Sequence, residues 1–202
     1  MAEISDDNSI MALSTDSSGL RIYTINGFYY TFSQTLQNVS AHIEGIDMTG
    51  DGQWLFAVER GSTSAYVYKY NSGNSLFEYF QHFTASATAT WAGALTDDHE
   101  WLFIGSDTGK VDVYTYDGST FQFKEAITHS SDEVSSISVT NDHTYLAISN
   151  WNSVSTYVYK YNGTNFTAHQ TMTIDSGEYV KNFLSNDHGY LLISCADASN
   201  EG

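Results

Sequence analysis

The chain has 202 residues, with 7 Lys plus Arg against 24 Asp plus Glu and a formal net charge of −17. This charge excludes nucleic acid as a partner, because the field repels phosphates and no basic patch offsets it. Apolar residues make up 41% of the chain, enough for a buried core, which excludes disorder as the main interpretation. No apolar run approaches ~18 residues and the start MAEISDDN has no signal-like regions, so neither a membrane span nor a secretory signal is predicted.

Three sequence marks recur about every 45 residues, which indicates tandem structural units. The first is an acidic turn followed three residues later by a large apolar residue, at Asp7, Asp51, Asp98, Asp142 and Asp187. The second is a tyrosine that closes a β-branched and aromatic segment, at Tyr23, Tyr68, Tyr114 and Tyr159. The third is a phenylalanine, at Phe32, Phe77, Phe121 and Phe166. Three marks that stay in phase over four copies predict a single repeat domain over 1–202.

Each unit is predicted to contain four short antiparallel strands, a to d, because its side chains alternate with period two and Asn, Asp or Gly separate the segments. The first strand a is expected at Ala2–Ser5. Five b strands are expected, at Ile10–Ser14, Trp54–Val58, Trp101–Gly105, Tyr145–Ser149 and Tyr190–Ser194. The best-defined unit places a at Val134–Val139, b at Tyr145–Ser149, c at Thr156–Tyr161 and d at Phe166–Ile174. No proline occurs to interrupt a strand ladder.

The approximate units are 1–37, 38–84, 85–129 and 130–175, followed by a partial unit at 176–202. The partial unit supplies an a-b hairpin, Tyr179–Ser194, beyond four complete units. Three explanations are open: a larger ring of six to eight units, a four-unit body whose hairpin docks elsewhere, or a subunit that donates its hairpin to a second chain. An isolated hairpin is marginal in water and its free edge can pair with another strand, which motivates the third explanation.

The predicted fold class is all-β, a β-propeller of tandem four-stranded antiparallel blades, because a radial arrangement protects sheet edges. The unit, an acidic turn, an aromatic-Leu pair and a segment such as AYVYKYNSG or TYVYKYNGT, resembles the repeats of the lactonase-like and tryptophan-aspartate-repeat propeller superfamilies. The resemblance covers essentially the whole chain and implies the propeller architecture. No residues match a lactonase's catalytic metal ligands one by one, so no activity is inferred from it.

Binding residues are expected on the d-to-a and b-to-c loops, which gather at one face of a propeller near its central channel. Trp151 is the main candidate, because a flat aromatic ring among small polar residues can stack on a sugar or anchor a partner. The alternative interpretation is a lid over the junction between units. The other candidates are charged residues of the same loops: Glu59, Arg60, Asp107, Asp132 and Glu178.

No catalytic or metal-binding residue and no cofactor are predicted. His99, His143 and His188 follow the turn aspartate in three units and are interpreted as turn residues, because turns on separate units are expected to lie too far apart for one ion. Cys195 is the one cysteine, so no internal disulfide forms, and a buried thiol is the preferred interpretation over a bridge to a second chain.

Three functions from different classes remain open. The first is a non-enzymatic structural or interaction module that binds a protein or self-associates through the hairpin. The second is a lactonase-like, metal-dependent hydrolase with an acidic central site, and the third is a carbohydrate-binding propeller. An extracellular or cell-surface location is expected from the acidic charge and the Ser, Thr and Tyr usage. Glycosylation in that compartment would fall on three sequons, at Asn38, Asn162 and Asn165.

Overall fold

The computed structural model describes residues 1–15, 19–36, 38–39, 42–86, 88–151, 155–173 and 179–196. Within these residues the regular structure is entirely β, and no helix is long and apolar enough to cross a membrane. Sheet 1 contains β1 (Ala2–Ile4), β2 (Ile10–Thr15), β3 (Gly19–Asn26) and β4 (Tyr29–Thr35). Sheet 2 contains β5 (Ile43–Met48), β6 (Trp54–Glu59), β7 (Ser64–Asn71) and β8 (Leu76–Thr84). Sheet 3 contains β9 (Thr90–Leu95), β10 (Trp101–Ser106), β11 (Lys110–Tyr116) and β12 (Phe121–Thr128).

Sheet 4 contains β13 (Val134–Val139), β14 (Tyr145–Asn150), β15 (Ser155–Tyr161) and β16 (Phe166–Thr173). Sheet 5 is a two-stranded hairpin of β17 (Tyr179–Leu184) and β18 (Leu191–Ala196). Strands in every sheet pair antiparallel in chain order. The first strands of sheets 2 to 5 contact one another in sequence, so they form the inner wall. The predicted all-β propeller-type repeat is confirmed.

Each junction between neighbouring complete sheets is filled by its own apolar core. Because the second strands are covered on both faces, β6 and β10 are buried along their whole length, and both are apolar up to their polar last residues, Glu59 and Ser106. Phe56 and Phe103 are 0% exposed at the centre of these strands. The tyrosine marks coincide with a register shift between the third and fourth strands, before Tyr23, Tyr68, Tyr114 and Tyr159. The repeated tyrosine is therefore the site of a repeated β-bulge.

The turn between the first and second strands is held by a hydroxyl-aspartate pair. Thr96 Oγ1 donates to Asp98 Oδ1 at 2.6 Å and accepts from the Trp101 amide at 3.0 Å. The same pair recurs in the other sheets as Ser5-Asp7, Thr49-Asp51, Thr140-Asp142 and Ser185-Asp187. The residue after the aspartate takes a left-handed backbone at His99, His143 and His188, and a glycine or asparagine there serves the same turn in sheets 2 and 1.

The hairpin packs against sheet 4 in the way that successive sheets pack on one another. Asn182 Nδ2 donates to Ser149 Oγ at 2.8 Å, and Ser135 Oγ donates to the Val180 carbonyl at 2.5 Å. The hairpin therefore occupies the position of the first two strands of a fifth sheet. Two details differ from expectation: its second strand begins at Leu191, and the Cys195 thiol is exposed, because the outer side of β18 carries no further strand in the described part of the chain.

Candidate functional site

Three residues predicted from the sequence occupy one equivalent position in successive sheets. Arg60, Asp107 and Trp151 each follow directly after the second strand of sheets 2, 3 and 4. Each backbone amide donates to a carbonyl just before the first strand of the same sheet, at distances of 2.7–3.1 Å: Arg60 to His42, Asp107 to Ala89 and Trp151 to Glu133. These bonds extend the strand pairing by one residue. They bring the three side chains to the same end of the sheets, which we call the loop face.

Two tryptophans link the loops of sheets 2, 3 and 4. Trp91, the second residue of β9, lies under the guanidinium of Arg60, whose central carbon is 4.7 Å from the ring centroid. Trp151 follows β14 of sheet 4, and its ring centroid lies 6.2 Å from that of Trp91 in sheet 3. Arg60 Nη1 also lies 3.8 Å from Glu44 Oε2. The cation and the two indole rings therefore form a row across the loop face.

Carboxylates flank this row. Burial raises the pKa of Glu133, the negative charge of Asp107 raises this pKa further, and the positive charge of Arg60 lowers it. Asp107 Oδ2 accepts a hydrogen bond from Thr88 Oγ1. We call Arg60, Trp91, Asp107, Glu133 and Trp151 the tryptophan cluster. Its charged members carry one positive and two negative charges when the carboxyl groups are ionised.

Two polar atoms of the tryptophan cluster have no hydrogen-bond partner among the described residues. Trp91 Nε1 is buried without an acceptor, and Asp107 Oδ1 is buried without a donor. A buried polar group without a partner costs about 1–3 kcal/mol, so most such groups are satisfied in folded proteins. The cluster therefore contains one N–H donor and one carboxylate acceptor whose hydrogen-bonding capacity is unused within the described residues.

The remaining predicted binding residues are placed differently. Glu59 is only 4% exposed and accepts hydrogen bonds from Ser62 Oγ at 3.2 Å and Tyr66 OH at 3.5 Å, which puts it beneath its loop. The Asp132 carbonyl accepts from Asn150 Nδ2 at 2.8 Å, next to Glu133 in sequence. Glu178 lies outside the described residues.

The three sequon asparagines are exposed. Asn162 Oδ1 accepts from the amides of Thr164 and Asn165, so its side chain shapes the turn between β15 and β16. Asn38 has a left-handed backbone with φ 70°. Exposure leaves glycosylation at Asn38, Asn162 and Asn165 sterically open, and their modification stays a prediction.

A central cavity of about 450 Å³ lies inside the inner wall, lined mainly by β5, β9, β13 and β17. Asp47 projects from β5 and accepts from the amides of Leu95 at 2.7 Å and Met48 at 2.9 Å. Burial, together with the charges of Glu3 and Asp97, raises the pKa of Asp47 to about 7, although the hydrogen bonds from the Leu95 and Met48 amides lower it. Burial also raises the pKa of Glu3, which lines the same cavity. Asp47 is thus a carboxyl group poised to exchange a proton near neutral pH.

The histidines lie in turns as predicted, but the expected distance between turns is wrong for neighbouring sheets. His143 Nε2 lies 2.8 Å from Asp98 Oδ2, and His188 Nε2 lies 3.0 Å from Asp142 Oδ1. Each histidine ring packs on the aromatic residue that begins the preceding second strand, as His143 does on Trp101 at 5.5 Å. The turns therefore form side-chain contacts across the sheet junctions, at the end opposite the loop face.

These sheets define a β-propeller, and the tryptophan cluster lies at its loop face. The model of the family described as "Lactonase, 7-bladed beta-propeller" matches residues 8–201. The chain belongs to this lactonase family of β-propellers. Among curated proteins, none matches the chain. The described residues form four four-stranded sheets and one two-stranded sheet, against the seven blades in the family's description.

Proposed function

We propose that the chain is an interaction module without catalytic activity that binds a basic segment of a protein partner at the tryptophan cluster. The observation that carries the proposal is the pair of unsatisfied atoms, Trp91 Nε1 and Asp107 Oδ1, beside two indole rings. Both atoms are buried in the free chain, so binding requires the loops around them to open. A peptide carbonyl then accepts from the indole N–H, and a lysine or arginine side chain donates to the carboxylate.

The charge distribution supports a basic partner. The carboxylates of Glu44, Asp107 and Glu133 surround the row, and Arg60 already stacks on Trp91 as a cation-π pair. The whole chain carries a net charge of −17, which speeds the encounter with a positive segment. A second cationic side chain beside Glu133 would offset the repulsion between the carboxylates of Glu133 and Asp107.

The test is tryptophan fluorescence titration with a short peptide of alternating glycine and lysine, and with its glycine-glutamate counterpart. The lysine peptide should bind, and Trp91→Leu and Asp107→Asn should each weaken binding about tenfold, since each removes one interaction of about 1–2 kcal/mol. Phe123→Leu is the matched control, because Phe123 is an exposed aromatic on β12 outside the cluster. Equal binding of both peptides, or an equal loss in the control, contradicts the proposal. If the chain binds neither peptide but binds sugars on a glycan array, carbohydrate recognition replaces the proposed binding of a basic peptide.

A lactonase-like hydrolase is the second candidate, and the central cavity favours it. A carboxyl group with its pKa near 7 at Asp47 has the properties of a general base, and Glu3 and Asp97 are further carboxylates for a metal ion there. Hydrolysis of a simple aliphatic lactone, measured with and without a chelator, tests this candidate. Activity that Asp47→Asn abolishes would support it over the interaction module.

Self-association through the hairpin is a further part of the interaction proposal. Phe183 and Leu192 on sheet 5 are 59% and 63% exposed, and Tyr190, just before β18, is 70% exposed. The outer edge of β18 has no partner strand in the described part of the chain. A second copy that pairs with this edge would cover them. Sedimentation should then show a concentration-dependent dimer that Leu192→Lys weakens. A monomer at all concentrations contradicts this part alone.

A further inference from the structure

The turn of sheet 3 and the turn of sheet 4 bring three metal-ligating side chains together. Asp98 and Glu100 belong to the turn between β9 and β10, and His143 belongs to the turn between β13 and β14. One ligand atom from each lies within 4.8 Å of the other two. We propose that Asp98, Glu100 and His143 form a site for a divalent metal ion of the zinc type that joins sheets 3 and 4.

The fold fixes the orientation of the aspartate. Asp98 Oδ1 already accepts from Thr96 Oγ1 at 2.6 Å and from the Glu100 amide at 3.0 Å. Its second oxygen, Oδ2, faces His143 Nε2 at 2.8 Å. One oxygen therefore anchors the turn while the other is presented toward the neighbouring sheet. Hydrogen bonds to one oxygen of a ligating carboxylate orient the other oxygen toward a metal.

The histidine is also held in place. Its ring packs on Trp101 with a centroid distance of 5.5 Å, and its side chain is 15% exposed. Nε2 is buried and lies in an ion-pair contact with Asp98 Oδ2, which is its nearest charged partner among the described residues. A metal ion would bind the neutral imidazole through Nε2 and take the place of this ion pair.

The distances suit a small ion. Zinc binds imidazole nitrogen and carboxylate oxygen at about 2.0–2.2 Å, so two ligand atoms in a tetrahedral site lie about 3.3 Å apart. The 2.8 Å between His143 Nε2 and Asp98 Oδ2 needs only a small opening to accept the ion. Glu100 is exposed, so its side chain can adjust as the third ligand, and water completes the fourth position. The two carboxylate charges balance the charge of the ion.

The other junctions of the chain provide an internal comparison. The equivalent positions in the next junction are Asp142, Thr144 and His188, where His188 Nε2 hydrogen-bonds Asp142 Oδ1 at 3.0 Å and Thr144 replaces the second carboxylate. The equivalent of Glu100 in sheet 2 is Gln53. Within the described residues, the junction of sheets 3 and 4 alone combines two carboxylates with a histidine. The proposed site is therefore a local departure from a shared turn.

The experiment is isothermal titration of the whole chain with Zn²⁺ in a Cys195→Ser background, since the exposed thiol could itself bind zinc. We expect one ion per chain, and about tenfold or greater loss of affinity in Glu100→Gln and in His143→Gln. The matched control is His188→Gln, which removes the equivalent histidine of the neighbouring junction and should keep the affinity. Circular dichroism of each variant shows that the chain is folded.

Cobalt substitution gives an independent measure. Co²⁺ bound by one nitrogen and carboxylate oxygens in a tetrahedral site should give visible absorption that Glu100→Gln removes. A bound ion should also raise the midpoint of thermal unfolding, because it binds the folded chain and bridges two sheets. The proposal is overturned if Zn²⁺ does not bind, or if Glu100→Gln and His188→Gln bind it equally well. Neither outcome bears on the tryptophan cluster, which lies at the opposite end of the sheets.

Discussion

The hydroxyl of Thr96 is expected to stabilise the chain more than any contact of its methyl group. Thr96 is 2% exposed, and its Oγ1 accepts from the buried Trp101 amide and donates to the Asp98 carboxylate. Thr96→Val keeps the side-chain shape but leaves the Trp101 N–H without an acceptor, at a cost of about 1–3 kcal/mol. The lost hydrogen bond to partly exposed Asp98 adds about 1 kcal/mol. The free energy of unfolding should fall by about 2–4 kcal/mol.

Urea-induced unfolding, followed by tryptophan fluorescence at constant pH, measures this change. Thr96→Ser is the decisive companion variant, because it keeps the hydroxyl and removes only the methyl group, and it should lose about 1 kcal/mol. Thr171→Val, on the exposed face of β16, should be nearly neutral because valine suits a strand. If Thr96→Val is no less stable than Thr96→Ser, the hydroxyl-aspartate pair does not hold the turn.

Three further predictions concern the inner wall and the dependence of stability on pH. Gly93→Ala should lower the free energy of unfolding by about 1–3 kcal/mol, because the new Cβ would overlap the ring of Phe56. Gly45→Ala is the control, because its Cβ would meet its neighbours at 3.6 Å and should be tolerated. Thermal unfolding of the two variants measures the difference. Asp47 has a raised pKa of about 7 in the folded chain, so its contribution to the free energy of unfolding is greatest below about pH 4 and is lost as pH rises to 7. Asp47→Asn should therefore flatten the fall in the free energy of unfolding that urea denaturation measures from about pH 5 to pH 8. Burial raises the pKa of Asp142, but hydrogen bonds from the turn outweigh burial and hold this pKa below its usual range. The stabilisation by the Asp142 carboxylate is therefore present above about pH 4 and lost as pH falls below that. Asp142→Asn should show a smaller acid-induced fall in the free energy of unfolding.

Most of the strand architecture could be predicted from the sequence, because its signals are local. In sheet 4 the predicted first strand, Val134–Val139, matches β13, and the predicted third strand differs from β15 by one residue. Alternation with period two and the Asn or Asp at each turn depend on neighbours within a few residues. The same local signals predicted that the histidines lie in turns, where φ is 53° at His99 and 59° at His143.

Contacts between units could not be predicted in the same way. Trp91 lies inside a strand, so its sequence environment resembles that of a core residue, yet its indole N–H joins the loop-face cluster. Glu59 is charged and next to a loop, yet it is 4% exposed because Ser62 and Tyr66 hold it beneath that loop. Which charged residue faces outward depends on packing between strands far apart in sequence. The repeat spacing did contain one usable signal, since Arg60, Asp107 and Trp151 are each nine residues after a turn aspartate.

Some positions of the repeat need a particular side chain to hold the strands together, and others do not. Both proposed sites lie at positions of the second kind. In sheets 1 to 4 the turn hydroxyl is bonded to the amide that begins the second strand, in sheet 5 to the amide just before it, and each unit has Ser or Thr there. By contrast, the position after the second strand joins its sheet through a backbone amide, a bond that any side chain permits, and the residue there is Arg60, Asp107 or Trp151 in successive sheets. The second position after the turn aspartate varies similarly, with Glu100 in sheet 3 and Thr144 in sheet 4. A tandem repeat can therefore acquire a binding site at these positions in one unit while the strands and cores of the other units stay unchanged.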